Sequence, residues 1–401
     1  MPELNNSMID LIVTSPPYWH IKNYKVKGQI GYDQSLHDYL KSLYLVWEES
    51  FRVLKPGSRL CVNIGDQFLR SIIYGKYKVS PLHAEIIAQC EQIGFDYMGS
   101  IIWQKKTKMN TTGGATVMGS YPYPPNGLIE FDYEFILIFK KPGQTQPVSK
   151  EIKERSKLTK EEWKEYFSGH WNFNGTKQIE HEAMFPEELP KRLIKMFSFV
   201  GDTILDPFLG SGTTAKVANE LERNAIGYEI NPEFLKVIKE KIAKSENLLS
   251  QLNIEIIERT FEIKIENEIE YRPNIKDAKP VISPEKFDFG KEKLYKVVKI
   301  INENTIELDT GLKVKLLGII PKMNESPKIF LYLNKYLKGK FVYLKFDTYS
   351  KPEDEIVSAY VFLKNKIFIN KELVKLGMAD VSNENSKYRK ILMKAEDDLN
   401  V

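Results

Sequence analysis

The chain has 401 residues, 42% of them hydrophobic, with 58 Lys and Arg against 54 Asp and Glu for a formal net charge of +4. That supports two or more packed domains, and the slight positive charge admits a polyanionic partner without demanding one. Its two cysteines, Cys61 and Cys90, lack metal-ligand spacing, which tells against a disulfide framework or a zinc site. No apolar run approaches membrane-spanning length and the N-terminus carries no secretory pattern. The expectation is a cytoplasmic protein with no membrane partner.

The first strand reads as Met8–Val13 and runs into Thr14-Ser15-Pro16-Pro17-Tyr18-Trp19. Two consecutive prolines fix two φ angles and remove two N–H donors. The turn is therefore expected to present carbonyl oxygens outward, beside the Ser15 hydroxyl and the flat face of Tyr18. Such a device accepts hydrogen bonds from an –NH2 group and stacks a ring; the plainer alternative is a Pro-Pro turn closing a strand. Amphipathic helices follow at Leu36–Leu54 and Pro81–Ile93, alternating with strands at Leu60–Asp66 and Phe95–Trp103. Residues 104–175 lose regular period. They carry Lys105, Lys106 and Lys108, a Tyr/Pro-rich run Ser120–Gly127, a strand Tyr133–Phe139 and a charged helix Lys160–Phe167. This stretch is either a DNA-reading insertion or a solvated loop.

A short apolar run, Thr203-Ile204-Leu205, leads into Asp206-Pro207-Phe208-Leu209-Gly210-Ser211-Gly212-Thr213-Thr214 and then Ala215–Leu221. This reads as strand, tight glycine turn and helix start. Gly210 and Gly212 permit φ > 0 and close approach of a ligand to backbone, and the helix start offers free N–H groups to an anion. The next strand, Asn224–Tyr228, ends in Glu229, a carboxylate suited to ribose hydroxyls. A phosphate-binding P-loop is disfavoured because no lysine follows Gly212. A dinucleotide turn matches the spacing of Gly210, Gly212, Ala215 and Glu229, and an ordinary glycine-rich turn remains open. A helix over Asn231–Ile254 closes this domain, and residues 255–291, with Pro273, Pro280 and Pro284, read as a linker.

Five short strands are expected beyond it, at Tyr295–Ile301, Thr305–Leu308, Val314–Ile319, Phe341–Phe346 and Val357–Leu363. Helices are expected at Lys328–Leu337, Lys371–Leu376 and Lys387–Leu399. That inventory suits an OB barrel.

Taken together, the Ser-Pro-Pro-Tyr and Asp-Pro-Phe-x-Gly-Ser-Gly-Thr-Thr motifs resemble those of the DNA amino-methyltransferases, in the order of the permuted beta group. Arg52–Gly57 and Glu182–Leu189 support the match, which covers roughly residues 8–245. The resemblance implies an α/β, Rossmann-like, doubly wound domain over 1–254. It also implies S-adenosyl-L-methionine as cofactor, no metal, and double-stranded DNA as substrate with the target base extruded. Ser15 and the Pro16 carbonyl would accept the hydrogens of the base's exocyclic amine, Pro17 would stiffen the turn, and Tyr18 would stack on the base. Asp206 would bind the cofactor's amino group, Phe208 would line its site, Gly210, Ser211, Gly212 and Thr213 would wrap its methionyl part, and Glu229 would hold the ribose. Serine at the head of the motif favours cytosine N4 over adenine N6. The implied setting is a restriction-modification system with a cognate endonuclease. Family members also carry a Gly-Asp on a strand upstream of the Pro-Pro turn, whereas residues 1–13 contain none. Either a strand is missing from the sheet or the start lies further upstream, and a catalytically impaired DNA-binding protein is the competing reading.

Residues 292–401 resemble the staphylococcal-nuclease-like family over about 293–399, through Lys313–Ile319, Ala359-Tyr360-Val361 and Leu373–Ala379. Asn304, Lys315, Ile320, Lys322 and Ile356 stand where that family's catalytic groups would be. The resemblance therefore implies a barrel without nuclease chemistry, which either binds DNA through lysines such as Lys296, Lys299, Lys313, Lys315, Lys335, Lys338 and Lys340, or serves as a structural or dimerisation appendage.

Overall fold

A computed structural model describes residues 1–20, 24, 26–105, 125, 129, 131–175, 185–243, 254–259, 270–283, 286, 293–347, 352, 355–383 and 386–399. The chain divides into two units. The first comprises residues 1–67, 80–116 and 130–277, and the second 68–79, 117–129 and 278–401.

The first unit is built on a seven-stranded sheet. Its strands, in chain order, are β1 (Ile9–Thr14), β2 (Leu54–Ile64), β3 (Asp96–Lys105), β4 (Tyr133–Lys140), β5 (His170–Phe173), β6 (Thr203–Asp206) and β7 (Asn224–Gly227). Their order across the sheet is β5-β3-β4-β2-β1-β6-β7. All neighbours are parallel except that β4 runs antiparallel to both β2 and β3. Helices are α1 (Leu36–Val53), α2 (Leu82–Ile93), α3 (Lys160–Tyr166), α4 (Glu188–Phe197), α5 (Thr213–Glu220) and α6 (Phe234–Ala243). Ser35 starts α1 by accepting from the Asp38 N–H, as an N-cap should, and Leu36, Tyr39, Leu40, Leu43 and Trp47 form its buried stripe. Along β1, Leu11 and Val13 join a core with Leu189, Leu193 and Ile194 of α4 and Val217 and Ala218 of α5. Ile12, pointing the other way, is equally buried. A strand buried on both faces is what a doubly wound sheet requires.

Two expectations change here. The irregular stretch 104–175 contains structure on both sides of its middle: β3 continues to Lys105, β4 follows, and β5 was not foreseen. Arg192 of α4 explains how β5 is held. Its side chain is 8% exposed, its guanidinium lies 5.2 Å from the Trp171 ring centre and 4.9 Å from that of Phe173, and Glu188 and Glu165 accept from it. Lys106, Lys108 and most of the Tyr/Pro-rich run lie outside the described residues, as do Glu182–Met184.

The segment read as a linker is also partly packed. Glu85 of α2, 1% exposed, accepts from the Tyr271 hydroxyl, the Asn274 N–H at 2.8 Å and the Ile275 N–H at 3.1 Å. Tyr271 is itself buried and stacks on Tyr44 of α1, ring centres 4.5 Å apart. The unit boundary falls between residues 277 and 278, inside the expected linker. The closing helix is described only as α6; the rest of the expected Asn231–Ile254 helix, residues 244–253, lies outside the described residues. β7 ends the sheet among the described residues, with Asn224, Ala225 and Gly227 exposed. No helix among the described residues is long and apolar enough to cross a membrane.

The second unit is a closed five-stranded barrel of β8 (Tyr295–Asn302), β9 (Thr305–Leu308), β10 (Lys313–Leu316), β11 (Phe341–Lys345) and β12 (Ile356–Leu363). They close in the order β8-β9-β10-β12-β11, and β10 pairs with β12 in parallel while the other pairs are antiparallel. Helices α7 (Ser326–Tyr336), α8 (Ile369–Lys375) and α9 (Arg389–Asp397) lie within a residue or two of expectation at most ends. The expected strand Val314–Ile319 is broken: β10 stops at Leu316, and Ile319–Pro321 pairs separately with Ala379–Val381.

Removing the Glu85 carboxyl should strand donors on residues 271–275. Glu85→Ala is expected to cost about 2–3 kcal/mol and to speed amide exchange at Asn274 and Ile275 by hydrogen-exchange NMR. Unchanged protection there would show that this docking is not what orders the segment.

Candidate functional site

The C-terminal ends of β1 and β6 lie side by side, and the chain leaves them in opposite directions, to β2 on one side and β7 on the other. In open α/β sheets this crevice is where ligands bind. Both sequence motifs sit on it.

Asp206 ends β6 and is 1% exposed. Its Oδ1 accepts from the Thr14 hydroxyl at 2.7 Å and the Phe208 N–H at 3.0 Å, and its Oδ2 from the Thr214 hydroxyl at 2.7 Å. Thr14 is the last residue before Ser15, and Thr214 lies in the first turn of α5. One carboxylate thus pins the Pro-Pro turn to the glycine turn. A carboxylate has about four acceptor sites, and three of those of Asp206 are taken by these donors.

After Thr14, Pro16 and Trp19 are buried while Ser15, Pro17 and Tyr18 are partly exposed. The Pro17 carbonyl accepts from the buried Tyr39 hydroxyl at 2.9 Å. The expectation that both proline carbonyls face outward is corrected to this extent, because the hydroxyl of α1 lies directly beneath the turn. The Trp19 indole donates to Gln34 O at 2.8 Å, and the Trp19 carbonyl accepts from Gln67, so the turn is tied down beyond Tyr18.

Gly212 is the N-cap of α5 at φ 83°, and a β-carbon there would lie 3.3 Å from the Ile238 side chain. Left-handed backbone and a close helix both demand glycine. Glu229 accepts from the Gly210 N–H at 2.8 Å and, through its other oxygen, from the Asn231 N–H at 2.8 Å, so the carboxylate expected at the ribose stands at the glycine turn. Burial raises its pKa, with these N–H groups opposing. Phe208 is partly exposed at the same turn, and Ser211 and Thr213 are buried.

Two participants were missed. Lys241 of α6 donates to the Ser211 and Thr213 hydroxyls at 2.8 and 2.9 Å, and burial lowers its pKa. Its signal was available: Ile238, Lys241 and Ile242 fall on one helical face. Glu134 receives the Tyr18 hydroxyl at 2.7 Å; a carboxylate inside the apolar strand Tyr133–Lys140 was the clue. Among the described residues no group of three His, Cys, Asp or Glu side chains could hold a metal ion.

Burial pushes the Asp206 pKa above its usual value despite the three donors. A carboxyl with a raised folded pKa holds its proton more tightly in the folded state. Its ionised form therefore costs stability, increasingly so as pH rises from about 4 towards the raised folded value. The melting-temperature difference of Asp206→Asn, variant minus wild type, should accordingly grow between pH 4 and pH 8. A flat or falling difference in thermal melts would contradict this.

A profile of the DNA methylase (N6/N4 methyltransferase) family matches residues 9–240. The chain is 39% identical over 290 residues to the Type II methyltransferase M.MjaI of Methanocaldococcus jannaschii, covering 65% of this chain and 93% of that protein. It is 34% identical over 290 residues to the Type II methyltransferase M.MthZI of Methanothermobacter thermautotrophicus, covering 66% and 79%. Among solved structures it is similar to a putative DNA modification methylase of Thermus thermophilus complexed with S-adenosyl-L-methionine, at 37% identity and a TM-score of 0.49, over 61% of this chain and 89% of that one. The family match takes in both turns, the sheet that carries them and more than half of the chain, and on that ground this chain belongs to the DNA methylase family.

Proposed function

We propose that this DNA methylase transfers a methyl group from S-adenosyl-L-methionine to the exocyclic amine of an extruded base in duplex DNA, with cytosine N4 as the target. The observation that carries the reading is the Asp206 carboxylate, which holds the Pro-Pro turn and the glycine turn against each other on neighbouring strands. A methyl donor and an acceptor amine must be brought in line, and proximity of this kind supplies much of the rate without a covalent enzyme intermediate.

The glycine turn fits the cofactor. Gly210 and Gly212 are left-handed, hydroxyls line the turn, and the Glu229 carboxylate stands beside the Gly210 N–H. Tyr24 belongs to the same neighbourhood, its pKa raised by burial and by Glu229. When bound, the cofactor supplies an electrophilic methyl on a sulfonium. Ser211, Thr213 and Lys241 would hold its amino-acid part, Phe208 and Glu229 its nucleoside, and the remaining acceptor site of Asp206 its amino group. The Ser15 hydroxyl and the Pro16 carbonyl accept the amine hydrogens and draw the nitrogen lone pair out of conjugation. Tyr18 stacks on the base, offsetting an extrusion cost of a few kcal/mol. Serine at the head of the turn supports cytosine N4, and the likeness to Type II methyltransferases supports a site-specific enzyme paired with an endonuclease.

We further propose that the barrel is of the oligonucleotide-binding type and holds DNA without cutting it. Its strand order and its one parallel pair support the first part. Residues 293–401 carry 20 Lys and Arg against 14 Asp and Glu, so the chain's positive charge is concentrated there. In place of nuclease groups, the Asn304 side chain accepts from Thr305, Lys315 is exposed on β10 and Lys322 pairs with Asp380 at 3.1 Å. Ile320 is exposed and Ile356 opens β12.

Tritiated methyl transfer to duplex DNA should be lost with Tyr18→Ala and with Gly212→Val, and nucleoside mass spectrometry of the product should show N4-methylcytosine. N6-methyladenine alone would reassign the target, and wild-type rates in both variants would refute the site. Changing Lys296, Lys299, Lys313 and Lys315 to Gln should flatten the slope of log affinity against log salt by about 0.9 for each phosphate no longer neutralised. An unchanged slope, or calcium-dependent cleavage of DNA, would count against the barrel's role.

A further inference from the structure

Glu134 is 9% exposed on β4 and is a meeting point of three segments distant in sequence. Its Oε1 accepts from the Tyr18 hydroxyl at 2.7 Å and from the Lys105 ammonium, and its Oε2 from the Asn63 amide at 2.8 Å. Gly65 roofs the cluster: a β-carbon there would lie 3.2 Å from Glu134 Cγ and 3.6 Å from the Tyr18 oxygen. Asn63 is 3% exposed, and its carbonyl oxygen has no partner among the described residues. Its amide orientation is set by Glu134, because the flipped amide would face carbonyl oxygen to carboxylate. Lys105 supplies the counter-charge that a carboxylate so nearly buried requires.

Stacking on a base needs only the ring of Tyr18, and a phenylalanine would offer the same face. The hydroxyl is therefore surplus to stacking, yet it is bound to a carboxylate that is held by two further donors. The prolines fix backbone φ but leave the tyrosine's own χ1 and χ2 free. A hydrogen bond at the para position restricts χ1 directly, and because a phenolic O–H prefers to lie in the ring plane, a fixed acceptor also biases χ2.

We propose that Glu134 is a positioning residue for methyl transfer, whose carboxylate holds the Tyr18 ring in the plane on which the extruded base stacks, with Asn63 and Lys105 holding the carboxylate. The inference rests on the reading of Tyr18 as the stacking platform. Burial, and then the neighbouring Glu134 charge, raise the Tyr18 pKa well above that of an ordinary tyrosine. The hydroxyl thus stays protonated as a donor to Glu134.

The test is a double-mutant cycle of Tyr18→Phe and Glu134→Ala in the full chain, read by steady-state methylation of duplex DNA and by calorimetry with S-adenosyl-L-methionine. Ordering one side chain in advance corresponds to about a two- to tenfold effect. Each single variant should lose that factor in kcat with cofactor affinity unchanged, and the double variant should be no slower than the slower single. Tyr18→Phe at the wild-type kcat, or losses that multiply in the double variant, would overturn the positioning role. If Glu134→Ala does not fold, Tyr18→Phe decides alone, since it keeps the ring and the Asn63 and Lys105 contacts. Absence of any turnover by the wild-type chain would refute the methylase reading and this role with it, whereas turnover without coupling refutes only the role.

Discussion

The carboxylate of Asp206 is the constraint on which the first unit's site depends. It joins residues 192 positions apart through the Thr14 hydroxyl, and it does so from the crevice where two parallel strands diverge. Neither turn alone would be informative. A Pro-Pro turn can close any strand, and a left-handed glycine pair can open many helices. Their shared anchor brings them to one crevice, with the Pro-Pro turn on one side and the glycine turn on the other. Burial works against the charge, and three donors work for it. The balance is unfavourable for stability, as is common where a site requires a fixed anion.

Two other buried carboxylates play the same part. Glu85 secures residues 271–275 to α2 by way of a tyrosine 186 positions away and two backbone N–H groups, and Glu134 secures Tyr18 across 116 positions. In each case donors from a remote segment converge on an acid that packing has already hidden from water. Such an acid tolerates few rearrangements, because losing one donor leaves a buried charge poorly satisfied. Apolar packing positions the helices on the sheet, and these polar junctions then select among the arrangements that packing allows.

The barrel follows a different logic. Its interior is lined by buried Val297, Ile306, Leu308, Val314, Val342 and Val357, and closure leaves no free edge. A scaffold so defined by its interior tolerates varied surface groups.

Much of this architecture was legible in the sequence. Short apolar runs marked β1, β4, β6 and the barrel strands, helical spacing marked α1 and α2, and proline and glycine marked both turns, because each of these is a local consequence of backbone geometry. The motif residues Ser15 to Tyr18 and Asp206 to Thr213 stood out as candidates through their resemblance to the motifs of a known family. β5 was not: four residues, His170–Phe173, become a strand only because β3 offers an edge and Arg192 packs over Trp171 and Phe173. The docking of residues 271–275 and the inward turn of the Pro17 carbonyl were likewise hidden, and for Lys241 and Glu134 the sequence marked the residue but not its partners. A hydrogen bond between residues on different elements has no local signature. Its partners are chosen by strand order and helix placement, and those exist only once the chain has folded.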